Sequence, residues 1–196
     1  MNLVLASGSA SRRRMLHDAG LVFSVDAPRI DEEAAKQSLR ANGLDPRQQA
    51  EALAELKALS ISKDSSAFVI GGDQMLAIDD ITLDKPRDRG EARAHLLRLQ
   101  GRAHHLVCAA VVAHEGVVIW RHVETPCLEM RRFSEAFLES YLDQIGQAAF
   151  ASVGAYQLEG LGAQLFERVE GDYFSVLGLP LLPLLSFLRE NGLAPR

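Results

Sequence analysis

Asp73 closes the run Phe68-Val69-Ile70-Gly71-Gly72-Asp73. A carboxylate at the end of a buried strand stands where open α/β sheets place their ligands, and it can hold a divalent cation or take a proton from water. Upstream, Ser7-Gly8-Ser9-Ala10-Ser11 joins an apolar run to Arg12 and Arg13. Small residues there let the backbone approach a ligand, and a helix beginning at that turn presents free N–H groups to an anion. Arg12 and Arg13 can then grip phosphate oxygens. Lys57 and Lys85, taken singly, read as solvated surface lysines. With the two arginines and Asp73 they form a set suited to polyphosphate and metal. Each part has a plainer reading too: a capped surface helix for the serine turn, an ordinary strand-ending turn for Gly71-Gly72-Asp73.

Other chemistries find little support. The turn is neither G-x-x-x-x-G-K-[ST] nor G-x-G-x-x-G, and no HExxH occurs. Adjacent His104 and His105 have the wrong spacing for a shared helical metal site. Ser7, Ser9 and Ser11 lack the G-x-S-x-G elbow of a serine hydrolase. Cys108 lies inside an apolar run and reads as a buried free thiol, and Cys127 has no CxxC partner. A disulfide is left open.

The elements needed to position these residues follow from pattern and punctuation. Residues 2–6 predict a buried strand, 12–19 a helix closed by Gly20, and 22–25 a second strand. Pro46 stands at the start of a helix over 46–62 that carries Lys57. A strand over 68–73, continued by 74–78, leads to a turn at Asp79-Asp80. Helices are expected over 89–99, from Ser134 onward, and over 180–191. Glu115-Gly116 sits between strands over 105–114 and 117–123, a hairpin signal; further strands are read over 128–133 and 165–170, with a glycine-punctuated loop over 154–162. Alternating strands and helices with hairpins among them predict a mixed sheet covered by helices.

The 196 residues fit a single domain, with room for two lobes around a cleft. A net charge of −5 argues against a nucleic-acid polymer as partner. No apolar stretch has the length of a membrane span, and MNLVLASGSASRRR places its charges after its apolar residues, opposite to a secretory signal. The expectation is a cytoplasmic protein without a membrane partner.

Taken in order, the motifs resemble the Maf family of nucleotide pyrophosphatases. Leu5-Ala6-Ser7-Gly8-Ser9-Ala10-Ser11-Arg12-Arg13 resembles its opening A-S-x-S-x-x-R, Ile30-Asp31-Glu32 its acidic motif, and Leu53-Ala54-Glu55-Leu56-Lys57-Ala58 its L-A-x-x-K-A helix. Gly72-Asp73-Gln74, Asp84-Lys85-Pro86, the segment from Gly154 to Gly160, Gly171-Asp172-Tyr173 and Val176-Leu177-Gly178-Leu179-Pro180 extend the match over nearly the whole chain. Ala10 and Ser11 depart from it, since many members carry proline and then an arginine or aromatic residue.

The resemblance implies an α/β fold of the Maf and inosine-triphosphatase type, with two lobes around a nucleotide-binding cleft. It implies hydrolysis of a nucleoside triphosphate to the monophosphate and pyrophosphate with a divalent cation, Mg²⁺ or Mn²⁺. Asp73 would be the proton acceptor, Glu32 and Asp73 would hold metal, and Ser7, Ser9, Arg12, Arg13, Lys57 and Lys85 would hold the substrate. Ser11, Gln74 and Glu159 would set base specificity. The Gln74 and Glu159 pair resembles the branch preferring 7-methyl-GTP, although Ser11 stands where that branch can carry a stacking aromatic. A homodimer is an open possibility. Two alternatives stand beside this reading: a nucleotide-binding regulator of septum formation with little turnover, and a house-cleaning pyrophosphatase of the inosine triphosphate type, which predicts a different opening motif.

Overall fold

The computed structural model describes residues 2–79 and 81–195, so Asp80 of the expected Asp79-Asp80 turn lies outside the described residues. The chain runs β1 (Leu3–Ala6), α1 (Ala10–Asp18), β2 (Ser24–Asp26), α2 (Glu32–Ala41), α3 (Pro46–Ser62), β3 (Phe68–Ile78), β4 (Ile81–Leu83) and α4 (Arg89–Leu99). It continues through β5 (Ala103–His114), β6 (Val117–Glu124), β7 (Cys127–Met130), α5 (Glu135–Ile145), three short 3-10 turns, β8 (Phe166–Glu170), α6 (Tyr173–Val176) and α7 (Leu181–Glu190). The strands follow the hydrogen-bonded order β2-β1-β3-β5-β7-β8, with β4 added to β3 and β6 to β5. Parallel β1–β2 and β1–β3 pairs stand beside antiparallel β3–β4, β5–β6, β5–β7 and β7–β8 pairs. The sheet is therefore mixed, as the alternation of hairpins and helices predicts.

Two compact units divide the chain. One holds Met1–Gln74, Cys108–Glu124 and Asp172–Arg196; the other holds Met75–Val107 and Thr125–Gly171.

In the first unit, the inward residues of β1 and β3 (Leu3, Leu5, Ile70) pack with Leu16 of α1 and Leu184 and Leu188 of α7. Ala110 and Val112 of β5 join this core, and Cys108 is a free, fully buried thiol whose pKa burial pushes up to about 12. Two helices escape the apolar pattern. α2 has no buried residue, so its signals are polar: Asp31 caps it by accepting from Ala34 N at 2.9 Å, acids occupy its first turn and Arg40 its last. α6 is a single turn capped by Asp172, too short for periodicity to show.

In the second unit, α4 and α5 start at the caps Asp88 and Ser134, and the strand expected over 128–133 is shorter, Cys127–Met130. Among the described residues no helix is long and apolar enough to cross a membrane.

Candidate functional site

The alternation of β3 builds the site in the first unit. Side chains two apart on a strand share a face. Gly71 and Asp73 face α3, while Gly72 and Gln74 face the start of α1 and the Gly178 turn. A Cβ on Gly71 would lie 2.1 Å from the Ala54 carbonyl oxygen and 2.8 Å from Ala58 N. Only glycine lets the helix lie directly on the strand there. The Gly71-Gly72 pair is thus not a turn: β3 runs through it to Ile78.

That close approach brings Lys57 to Asp73. Leu53, Ala54, Lys57, Ala58 and Ile61 form one buried stripe of α3, with the lysine inside it. Lys57 Nζ donates to Asp73 Oδ1 at 2.6 Å and lies 2.9 Å from Glu32 Oε2. Both members of the Lys57–Asp73 pair are buried, whereas the Glu32 side chain is 43% exposed. Lys36, one turn along α2, stands 3.6 Å from Glu32 Oε1. Asp73 Oδ2 is buried with no hydrogen-bond partner. One ammonium therefore serves two carboxylates, and one carboxylate oxygen keeps its lone pairs unused.

On the opposite face, Arg12 is buried rather than solvated. Its Nε donates to the Gly178 carbonyl at 2.7 Å and its Nη1 to Ser7 Oγ at 3.2 Å. A Cβ on Gly72 would come within 3.1 Å of Arg12 Nε, so this glycine leaves room for the guanidinium. Ser7 Oγ also accepts from Ser9 N, and Ser9 Oγ caps α1 by accepting from Arg12 N at 3.4 Å. Gln74 uses both amide hydrogens on the Ser175 and Val176 carbonyls, at 2.9 and 3.0 Å. Asp172 Oδ2 accepts from both Ser175 N and Ser175 Oγ at 2.7 Å. Arg12, Gln74 and Asp172 thus pin the turn that ends in Gly178.

Of the residues singled out in the sequence, the first unit gathers Ser7, Ser9, Arg12, Glu32, Lys57, Asp73 and Gln74 around β3 and its neighbours. Ser11 is half-buried in the first turn of α1. Arg13 is exposed and lines a separate groove of ≈ 630 Å³ with Arg14, His17 and Phe23. Lys85, exposed before α4, and Glu159, exposed between Gln157 and Gly160, belong to the second unit. Sequence reasoning gave no role to Lys36, Asp172 or Gly178. The first had a signal, a lysine one turn after Glu32 in a capped helix; the others work through backbone and cap contacts that side-chain type does not announce.

A mixed α/β sheet with a buried acid–lysine pair on one face of β3 and a capped serine turn toward the other suits phosphate-bearing substrates. Residues 2–191 match the family described as Maf-like protein, and the chain belongs to that family. A protein of Paramagnetospirillum magneticum named nucleoside triphosphate pyrophosphatase is 55% identical over 190 residues, 96% of this chain and 98% of its own length. One of Granulibacter bethesdensis with the same name is 54% identical, covering 97% of this chain and 98% of its own. A 7-methyl-GTP pyrophosphatase of Rhizobium meliloti is 50% identical over 97% of this chain and 96% of its own.

Proposed function

We propose that this protein is a cytoplasmic nucleoside triphosphate pyrophosphatase that hydrolyses the α–β phosphoanhydride bond, with a preference for 7-methyl-GTP. The observation that carries the reading is Asp73: a buried carboxylate with one oxygen fixed by Lys57 and the other without a partner. The names of relatives sharing half or more of its residues support the same activity.

Asp73 Oδ2 accepts the proton of the attacking water as oxygen bonds to phosphorus. The anhydride P–O bond breaks, and pyrophosphate leaves with the electron pair. Lys57 holds Asp73 Oδ1 at 2.6 Å and so fixes the orientation of the carboxylate before the reaction begins. The α1 N-terminus and its serine turn offer backbone N–H groups to phosphate oxygens.

A divalent cation suits this donor set. Among the described residues no three His, Cys, Asp or Glu side chains gather to hold a metal. Mg²⁺ and Mn²⁺ in nucleotide enzymes take one or two carboxylates and complete their shell with phosphate oxygens and water. Glu32 and the Asp73 carboxylate, which share the Lys57 ammonium, would be such a pair. When bound, the ion would neutralise charge developing on the leaving pyrophosphate.

For the base, the Glu159 carboxylate carries the preference. One carboxylate can accept guanine N1–H and N2–H together, and the positive charge of an N7-methylated ring strengthens both contacts. Uracil and thymine offer one ring N–H between two carbonyls, which a carboxylate repels. A pyrophosphate-release assay over 7-methyl-GTP, GTP, UTP and dTTP, with and without Mg²⁺ or Mn²⁺, tests this. The methylated nucleotide should lead and turnover should need metal. A lead for UTP or dTTP removes the base preference alone, and no pyrophosphate from any nucleotide removes the activity. A homodimer is part of the same proposal; light scattering on the eluting protein reads it.

A further inference from the structure

The second unit contains a buried polar cluster that plays no part in the chemistry just described. His104, fully buried on β5, places Nε2 2.8 Å from the Tyr156 hydroxyl. Tyr156 is buried too, its ring edge-on to Phe166 at 4.8 Å, with His104 6.0 Å from the same phenylalanine. Burial pushes His104 down to about 4 and raises the Tyr156 phenol, so both groups are neutral at ordinary pH. A leucine and a phenylalanine would fill comparable space with no polar atom to satisfy. An imidazole and a phenol at these depths carry a desolvation cost; their mutual bond offsets part of it, while His104 Nδ1 is buried without a hydrogen-bond partner.

What the bond holds is the start of the 154–162 segment. Gly154 and Ala155 both have left-handed backbones, φ 79° and 62°. Left-handed conformation is strained for alanine and persists only where surroundings over-determine it. Here the Tyr141 hydroxyl donates to the Ala155 carbonyl at 3.1 Å, and Ser152 Oγ donates to the Tyr156 carbonyl at 2.5 Å. A Cβ on Gly154 would strike Tyr156 Cε1 at 2.7 Å and Leu76 at 2.5 Å. Beyond Tyr156 the chain turns on Gln157: Gly160 N donates to its carbonyl at 3.2 Å, and a Cβ on Gly162 would lie 2.4 Å from that same oxygen. Glu159 sits within this turn, exposed, and its carboxylate makes no hydrogen bond or ion pair among the described residues. Nothing local to Glu159 fixes its place; the turn that carries it does.

We infer that His104 is a positioning residue for base selection, acting through the Tyr156 hydroxyl to fix the turn that presents Glu159. This rests on Glu159 reading the base. A carboxylate that must meet two adjacent donors at once tolerates little displacement, so loosening its turn weakens recognition of the preferred base. Chemistry at Asp73 is left alone.

Tyr156→Phe removes one oxygen and keeps the packed ring, so folding is retained. It should lower the kcat/KM ratio of 7-methyl-GTP to UTP about tenfold, through KM for the methylated nucleotide, with kcat within about twofold. His104→Leu should do the same. His104→Gln, whose amide reaches the place of Nε2, should restore most of the ratio, whereas a role in packing alone would favour the leucine. Glu159→Gln is assayed alongside. If it lowers the ratio and Tyr156→Phe does not, the positioning role is overturned while the base reading stands. If Glu159→Gln leaves the ratio unchanged, both fall.

Discussion

The two units bury polar groups in opposite ways. The first buries charge: Lys57 between Asp73 and Glu32, and Arg12 against a carbonyl and a hydroxyl. The second buries neutral groups: His104, Tyr156 and Tyr141, bonded to one another or to backbone. A buried ion pair adds little to stability, because desolvation cancels most of its attraction, and removing one partner is costly. A buried neutral network fixes geometry without strong fields. The first arrangement suits a reaction in which charge moves, the second suits holding a loop. Each can be tested by removing the feature that distinguishes it.

The largest effect is expected at the charged pair. Asp73→Asn keeps shape and leaves Lys57 paired with Glu32, so the fold should persist while the basic oxygen is lost. Loss of a general base costs about two to four powers of ten in rate. Steady-state turnover within about threefold of wild type, only ~0.65 kcal/mol of barrier, would show that Asp73 is not the base.

Lys57→Met divides stability from chemistry. It leaves Asp73 buried without its cation, a change worth about 3–5 kcal/mol in comparable buried pairs. Denaturant unfolding should register that loss, and Mg²⁺ should recover part of it if Glu32 and Asp73 can share a divalent ion. An unchanged unfolding midpoint would mean that the ammonium is not holding the carboxylates as the geometry indicates.

The neutral cluster should answer to pH instead. The folded pKa of His104, about 4, lies below the unfolded value of about 6.5. Between those values the unfolded chain binds a proton that the folded chain does not. Stability is full above pH 6.5 and falls as pH drops, by about 2 kcal/mol at pH 5 and about 3 kcal/mol at pH 4. His104→Gln has no such proton, so the difference between the two stability curves isolates the effect. Parallel curves over that window would show that His104 is solvated in the folded protein.

Much of this was legible in the sequence, and the gaps have physical causes. The helix over 89–99 and the cap at Ser134 match the structure because capping residues and periodicity agreed there. Residue type and motif single out Lys57 and Asp73, yet their contact depends on Gly71 admitting α3, a tertiary fact that no local pattern reports. α2 is not legible in the apolar pattern because its stabilising signals are charges and a cap, with no buried residue. The sequence presents Arg12 as a cation facing phosphate; its partners are Gly178 and Ser7, the former 166 residues away in sequence, and no local pattern reports that. Glu159 rests on the resemblance alone, and Lys85 on its residue type and the Asp84-Lys85-Pro86 motif; both are exposed.

The smallest effect should come from the arginine two residues past Arg12. Arg14 is 81% exposed and makes one i,i+4 contact with Asp18 at 3.4 Å, the kind of surface pair that contributes about 0.3–0.5 kcal/mol. Arg14→Ala loses that pair but gains helix propensity, so unfolding free energy should stay within about 0.5 kcal/mol and kcat/KM within about twofold. Arg12→Ala removes a buried cation, frees the Gly178 carbonyl and leaves space between β3 and α1. It should lower stability by about 2–4 kcal/mol, since each hydrogen bond to a charged group contributes about 1.5–3 kcal/mol. Its loss of activity should come through a loosened Gly178 turn as well as any lost phosphate contact. High salt separates these: a long-range electrostatic effect is screened, whereas a buried clamp is not. Equal, salt-sensitive losses at both positions would show that general positive charge near α1 matters and that Arg12 is no clamp. A loss confined to Arg12 and indifferent to salt assigns the effect to the buried contacts with Gly178 and Ser7.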